Sequence, residues 1–143
     1  MANKTRQNAN QASGSNLYVD VTNSRVGVGT TVPSTTLQVS GTITCVDINS
    51  TSDIKLKENI HQIKDPLEKV MQINGVGFRW KDTKEDAIGV IAQDIEEVIP
   101  ELIKISGEVK TVNYNGLVGV LIEAIKEQQR QILELRAQIN TNT

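Results

Sequence analysis

Few side chains in this sequence could do chemistry by themselves. His61 is the one histidine and Cys45 the one cysteine, which sets aside His-based triads, His-rich and Cys-rich metal sites and any intrachain disulfide. His61 reads as a surface or hydrogen-bonded side chain, and Cys45 as a buried or idle thiol with interchain pairing as the alternative. Asp94, Glu96 and Glu97 have the residue types of a paired-carboxylate site, but on one short helix they read as a solvated face. Gly75-Val76-Gly77 lacks the third glycine and the helix start of a nucleotide-binding fingerprint. Phe78 and Trp80 stand at alternating-strand spacing, which points to core rather than to a stacked ligand. No metal and no cofactor is expected.

The elements that would position any site are small. Of 143 residues, 38% are hydrophobic and only 3% aromatic, so one chain has few large side chains with which to build a core, and association is the natural remedy. The net charge of -2 and the pI near 5.4 argue against nucleic acid or an anionic membrane as partner. Up to Ser50 the charges nearly balance, with Lys4, Arg6 and Arg25 against Asp20 and Asp47, so the acidity belongs to the second half. Met1–Gly14 has no signal-peptide core, and no apolar run approaches the roughly 20 residues of a membrane-spanning helix. A soluble chain is expected, with no membrane partner.

Residues 1–15, rich in Asn and Gln, cannot offset their ordering entropy by apolar burial. They read as a flexible arm, or as a strand or attachment peptide that orders on a partner. Over residues 16–50 short β-type runs follow, at Leu17–Val21, Arg25–Val28 and Thr36–Val39, split by Asn23, Gly29 and Pro33-Ser34. Gly41–Ser50 continues the β pattern into an exposed loop, Ser50-Thr51-Ser52-Asp53, where a domain boundary is expected. The spacing suits intertwined strands from several chains sharing a narrow core.

Residues 51–114 read as a small α+β unit. Asp65-Pro66-Leu67-Glu68 predicts a helix to about Ile73, with Asp65 as N-cap of a capping box. Val76–Trp80 and Ile88–Ile91 predict strands around a charged loop, Lys81–Asp86. Ala92–Val98 predicts a helix stopped by Pro100, and Leu102–Ile105 with Val109–Val112 a hairpin turning at Ser106-Gly107. Over residues 115–143 the chain turns helical, and Val118, Leu121, Ile125, Gln128, Ile132, Leu135 and Ile139 keep a 3-4 spacing over three heptads. Charged residues flank this narrow seam, which favours a coiled coil over a helix packed only on its own domain. Gln128 puts a polar layer in the seam, and the heptads specify association better than strand number.

Taken in order, Ser52-Asp53-Ile54-Lys55-Leu56-Lys57-Glu58-Asn59-Ile60, Ile73-Asn74-Gly75-Val76-Gly77-Phe78-Arg79-Trp80, Ile88-Gly89-Val90-Ile91-Ala92-Gln93-Asp94, Val98-Ile99-Pro100-Glu101 and Val112-Asn113-Tyr114 resemble the peptidase S74 family. This is the intramolecular chaperone of endosialidases and other phage tailspikes and fibres, shared with myelin regulatory factor. More loosely, Ser24-Arg25-Val26-Gly27-Val28-Gly29-Thr30-Thr31 looks like the fibre sequences that precede such domains. The resemblance implies a homotrimer ending in a helical bundle, which guides the preceding β-fibre into register and is then released by a Ser/Lys dyad. Carried onto this chain, the nucleophile is Ser52 and the general base Lys57. Asp53 is a helix cap or a helper that orients the site.

Chance alone supplies a Ser with a basic residue five positions on, since 15 of 143 residues are Lys or Arg; the roles come from the resemblance. The implied chemistry needs a base to remove the hydroxyl proton, and lysine serves only when burial holds it neutral. Trimer assembly could supply that burial. Attack by Ser52 on the preceding carbonyl, an N-to-O acyl shift, would cut between Thr51 and Ser52; the family pattern puts the scission between Ser52 and Asp53, which suits a nucleophile from a neighbouring chain.

Two functions follow as expectations. One is a virion tail or fibre protein, assembled in the host cytoplasm, whose chaperone trimerises the chain and cuts once as a single-turnover serine endopeptidase. The other is a small trimeric fibre or tip protein that keeps the domain uncleaved and docks on another virion protein through Met1–Ser15; the short stretch ahead of Ser52 favours it. A nucleic-acid-binding regulator is disfavoured because no basic patch is present.

Overall fold

A computed structural model describes residues 16–141; the arm expected over Met1–Ser15 lies outside them. The chain divides into two compact units, one ending at Glu58 and the next beginning at Asn59. The architecture is α+β, with three small sheets and a long C-terminal helix.

In the first unit β1 (Leu17–Asp20), β2 (Arg25–Val28) and β3 (Leu37–Val39) form one sheet in that order. The β1–β2 pair is antiparallel, with Asp20 opposite Arg25. Its turn is tied by the Asp20 carboxylate, which accepts from the backbone N–H of Thr22 at 3.1 Å and of Asn23 at 3.0 Å, and from the Asn23 side-chain amide at 2.8 Å. These bonds, that of the Asn23 amide first, hold the Asp20 carboxyl below its ordinary range. The β2–β3 pair is parallel, although parallel strands ordinarily need a crossover of a dozen or more residues. Here eight residues suffice because the Arg25 guanidinium donates to the Pro33 carbonyl at 2.9 Å and the Ser34 N–H to Gln38 Oε1 at 2.7 Å. Gly27 is required, since a Cβ there would run into the Thr30 carbonyl. Gly41–Ser50, expected to continue as a strand, does not pair: Ile43, Val46 and Ile48 are exposed. Strand-type composition alone does not make a strand: this segment stays outside the sheet although β1 and β3 each keep one unpaired edge.

In the first unit Pro33 is a buried apolar residue; the buried core of the described residues lies in the second unit, with Ile95, Ile99, Leu102, Val120 and Ala124. Its elements are α1 (Pro66–Gln72), β4 (Val76–Arg79), β5 (Asp86–Gly89), α2 (Ala92–Val98), β6 (Ile103–Ser106), β7 (Val109–Val112) and α3 (Tyr114–Thr141). The two strand pairs are antiparallel hairpins. Pro100 stops α2 by opening a 3-10 turn, Pro100–Leu102, that buries Leu102, so β6 starts one residue later than expected. Asp86, expected in a loop, instead opens β5 opposite Arg79, whose guanidinium grips it at 2.7 and 2.9 Å. Trp80 falls outside β4 and is 54% exposed, edge-on to Phe78 with ring centroids 5.0 Å apart, so it is not the core residue its spacing suggested.

The start of α1 departs from the expected capping box. Asp65 is left-handed (φ 50) and its side chain makes no capping bond, because an N-cap presents its side chain to the first turn from an extended backbone. Glu127 does the work instead: its carboxylate accepts the Leu67 N–H at 3.2 Å from across the unit. Helix α3 lays Leu117, Val120 and Ala124 against the domain, and at Gly116 a Cβ would strike the Leu102 side chain.

Candidate functional site

The Ser52–Lys57 segment makes one tight turn. Asp53 has an extended backbone, and its Oδ1 accepts the Lys55 N–H at 2.8 Å, capping a 3-10 turn over Ile54–Leu56. The turn closes through Leu56 N–H to the Asp53 carbonyl and Lys57 N–H to the Ile54 carbonyl, each at 3.1 Å. One such turn brings the side chains at its two ends to the same side, and Lys57 Nζ reaches Ser52 Oγ at 2.7 Å. Asp53 therefore sits at this site as the cap that sets the turn.

A nucleophile and a base candidate in direct hydrogen-bond contact is the arrangement acyl transfer needs. Lys57 Nζ donates to the Ser52 hydroxyl; to act as the base it must instead accept the proton of that hydroxyl. Thr51, Ser52, Asp53 and Lys57 are all exposed. Ile54 and Leu56, within the same turn, are 71% and 73% exposed. Two large aliphatic side chains thus stand exposed beside the open polar pair.

On α3 the seam residues Val118, Leu121, Ile125, Gln128, Ile132, Leu135 and Ile139 are all exposed. The helix thus packs on its own domain and also presents a second apolar stripe. Heptad spacing picked out the stripe and missed the packed face of Val120 and Ala124, whose signal is a parallel row of small and β-branched residues one position off the seam.

Other candidates do not assemble. His61 Nδ1 lies 2.8 Å from the Asn59 carbonyl, at the surface. Glu96 is ion-paired with Lys110, which removes it from any carboxylate pair with Asp94 or Glu97. Cys45 is exposed, not buried. Among the described residues no group of His, Cys, Asp and Glu could hold a metal, and no helix is long and apolar enough to cross a membrane. Glu123 and Glu127, which the sequence places among the charges flanking the seam, lie on the inner edge of α3 and bond Gln62 and the Leu67 N–H of their own unit. Glu123 accepts from Lys126 at 2.7 Å and from Gln62 at 3.4 Å, which in that order hold its carboxyl below the ordinary range.

Residues 52–104 match the family described as chaperone of endosialidase, peptidase S74. The chain is 34% identical over 111 residues to the long tail fibre protein Gp37 of Salmonella phage S16, a match covering 69% of this chain and 15% of that protein. Its counterpart in Enterobacteria phage K3 is 30% identical over 98 residues, 62% of this chain and 8% of the relative. An uncharacterised membrane protein of Dictyostelium discoideum is 30% identical over 119 residues, 71% of this chain and 7% of its own length. The chain thus spans a small part of each of these relatives.

Proposed function

We propose that this chain, which carries a chaperone-of-endosialidase segment over residues 52–104 and is related to phage long tail fibre proteins, is a tail fibre component that trimerises and then cuts itself once at Ser52. The observation carrying the proteolytic part is the 2.7 Å contact between Lys57 Nζ and Ser52 Oγ. Exposure of the whole α3 seam supports association.

In this reading three copies meet along Val118, Leu121, Ile125, Gln128, Ile132, Leu135 and Ile139. Assembly covers Ile54 and Leu56 and excludes water from the adjoining turn, which disfavours the charged form of Lys57. The neutral amine takes the Ser52 hydroxyl proton as Oγ bonds to the Thr51 carbonyl carbon. The bond to the Ser52 nitrogen breaks, that nitrogen takes the proton, and water hydrolyses the resulting ester. Attack by Ser52 of a neighbouring copy would instead break the bond between Ser52 and Asp53. Residues Met1–Ser15 dock the fibre on another virion protein.

The openness of the site in the single chain favours a second reading, in which the domain stays attached as a structural module. A denaturing gel of the purified chain and of Ser52→Ala separates the two. Shorter fragments from the parent alone, with masses placing the cut beside Ser52, support cleavage; one band near 15.7 kDa from both supports retention.

A further inference from the structure

Two Asn-Gly pairs occur in the chain, Asn74-Gly75 and Asn115-Gly116, and the fold treats them oppositely. We propose that Asn74 is a site of spontaneous backbone-mediated deamidation, and that Asn115 is protected from the same reaction. The reaction needs the following residue's backbone nitrogen to reach the Asn side-chain carbonyl carbon. Glycine permits this best, because it has no Cβ to block the approach and the most backbone freedom.

Asn74 and Gly75 lie in the connection between α1 and β4, outside any helix or strand, and both are exposed. A Cβ built on Gly75 would meet open space. The hairpin register leaves the nitrogen unused. Trp80 N–H bonds the Glu85 carbonyl at 2.9 Å, and bonded pairs alternate along an antiparallel ladder. Phe78 and Val76 therefore face β5 with their N–H groups, and Gly75, one residue before the ladder begins, takes no place in it. At the second pair the Gly116 N–H donates to Asn113 Oδ1 at 3.1 Å within the first turn of α3. There the attacking nitrogen is already committed and the helical backbone is fixed.

The step balances with water as the only co-reactant. The Gly75 nitrogen loses its proton and bonds to Cγ of Asn74, the bond from Cγ to Nδ2 breaks, and ammonia leaves with the proton. Water then opens the five-membered ring at either carbonyl. One product is an aspartate; the other routes the main chain through Cβ and lengthens the link between α1 and β4 by one atom. Each adds one negative charge to a chain of net charge -2.

The test is incubation of the intact chain at mildly alkaline pH, with peptide mapping by mass spectrometry over time, native and in denaturant. In the native chain the Asn74 amide should be lost at least about tenfold faster than the Asn115 amide, because α3 must open before Asn115 can react. In denaturant the two rates should converge, and Gly75→Ala should slow loss at Asn74 in both conditions. A native chain in which Asn74 keeps its amide, or in which both positions react equally, overturns the proposal.

Discussion

Replacing Ile125 by alanine tests association without disturbing the domain. Ile125 is 64% exposed in the single chain, and alanine is the better helix former, so the monomer fold should survive. Fully burying an isoleucine is worth about 1.5–3 kcal/mol. Covering the exposed two-thirds in a seam therefore contributes about 1–2 kcal/mol per chain, most of which alanine forfeits. A trimer loses this three times, roughly 3–6 kcal/mol, which at 1.4 kcal/mol per decade is about a hundredfold to ten-thousandfold weaker assembly. Sedimentation across a concentration series reads this directly, with far-ultraviolet circular dichroism as the check on folding. An Ile125→Ala chain that dissociates at the same concentration as its parent, or a parent that stays monomeric throughout, would refute the seam.

Ile95→Ala empties the most buried position of the second unit, with 0% exposure, and should cost about 2–5 kcal/mol by denaturant unfolding. Gly27→Ala forces a Cβ onto the Thr30 carbonyl and should cost about 1–3 kcal/mol, read as lost exchange protection of the Val26 and Ser40 amides, which bond across β2 and β3. Asp86 is held below its ordinary value of 3.8 by the Arg79 guanidinium. The hairpin therefore draws full support from this pair above that value and loses it as pH falls through the lower, folded-state pKa. A pH series of β4 and β5 amide shifts should show this and flatten in Asp86→Asn.

The sequence announced its regular elements where period and punctuation agreed. Ala92–Val98 and the helix from Tyr114 appear as their spacing predicted, and β1 to β3 fall within a residue or two of the expected runs. What it could not announce depends on partners far along the chain. Asp65 looked like a cap because Pro66 and Glu68 follow it, yet the first turn of α1 is completed by Glu127, sixty residues away. Gly41–Ser50 has strand composition without a strand, since composition alone does not decide pairing. Ser52 and Lys57 stand out only by resemblance; five-residue spacing carries no signal until Asp53 winds the turn that closes it.

The contact of Glu127 with the start of α1 also bears on how a partner would be met. With Val120 and Ala124, it clamps the first half of α3 to its own domain. The apolar stripe over Val118, Leu121 and Ile125 is therefore offered in finished helical form, and a partner need not spend binding energy winding it. From Gln131 onward every described residue is exposed and no such clamp exists. In the assembly proposed above, docking that began at the clamped half would meet packed helix first and the fully exposed turns last, and the domain end of α3 would set the register that the tail follows.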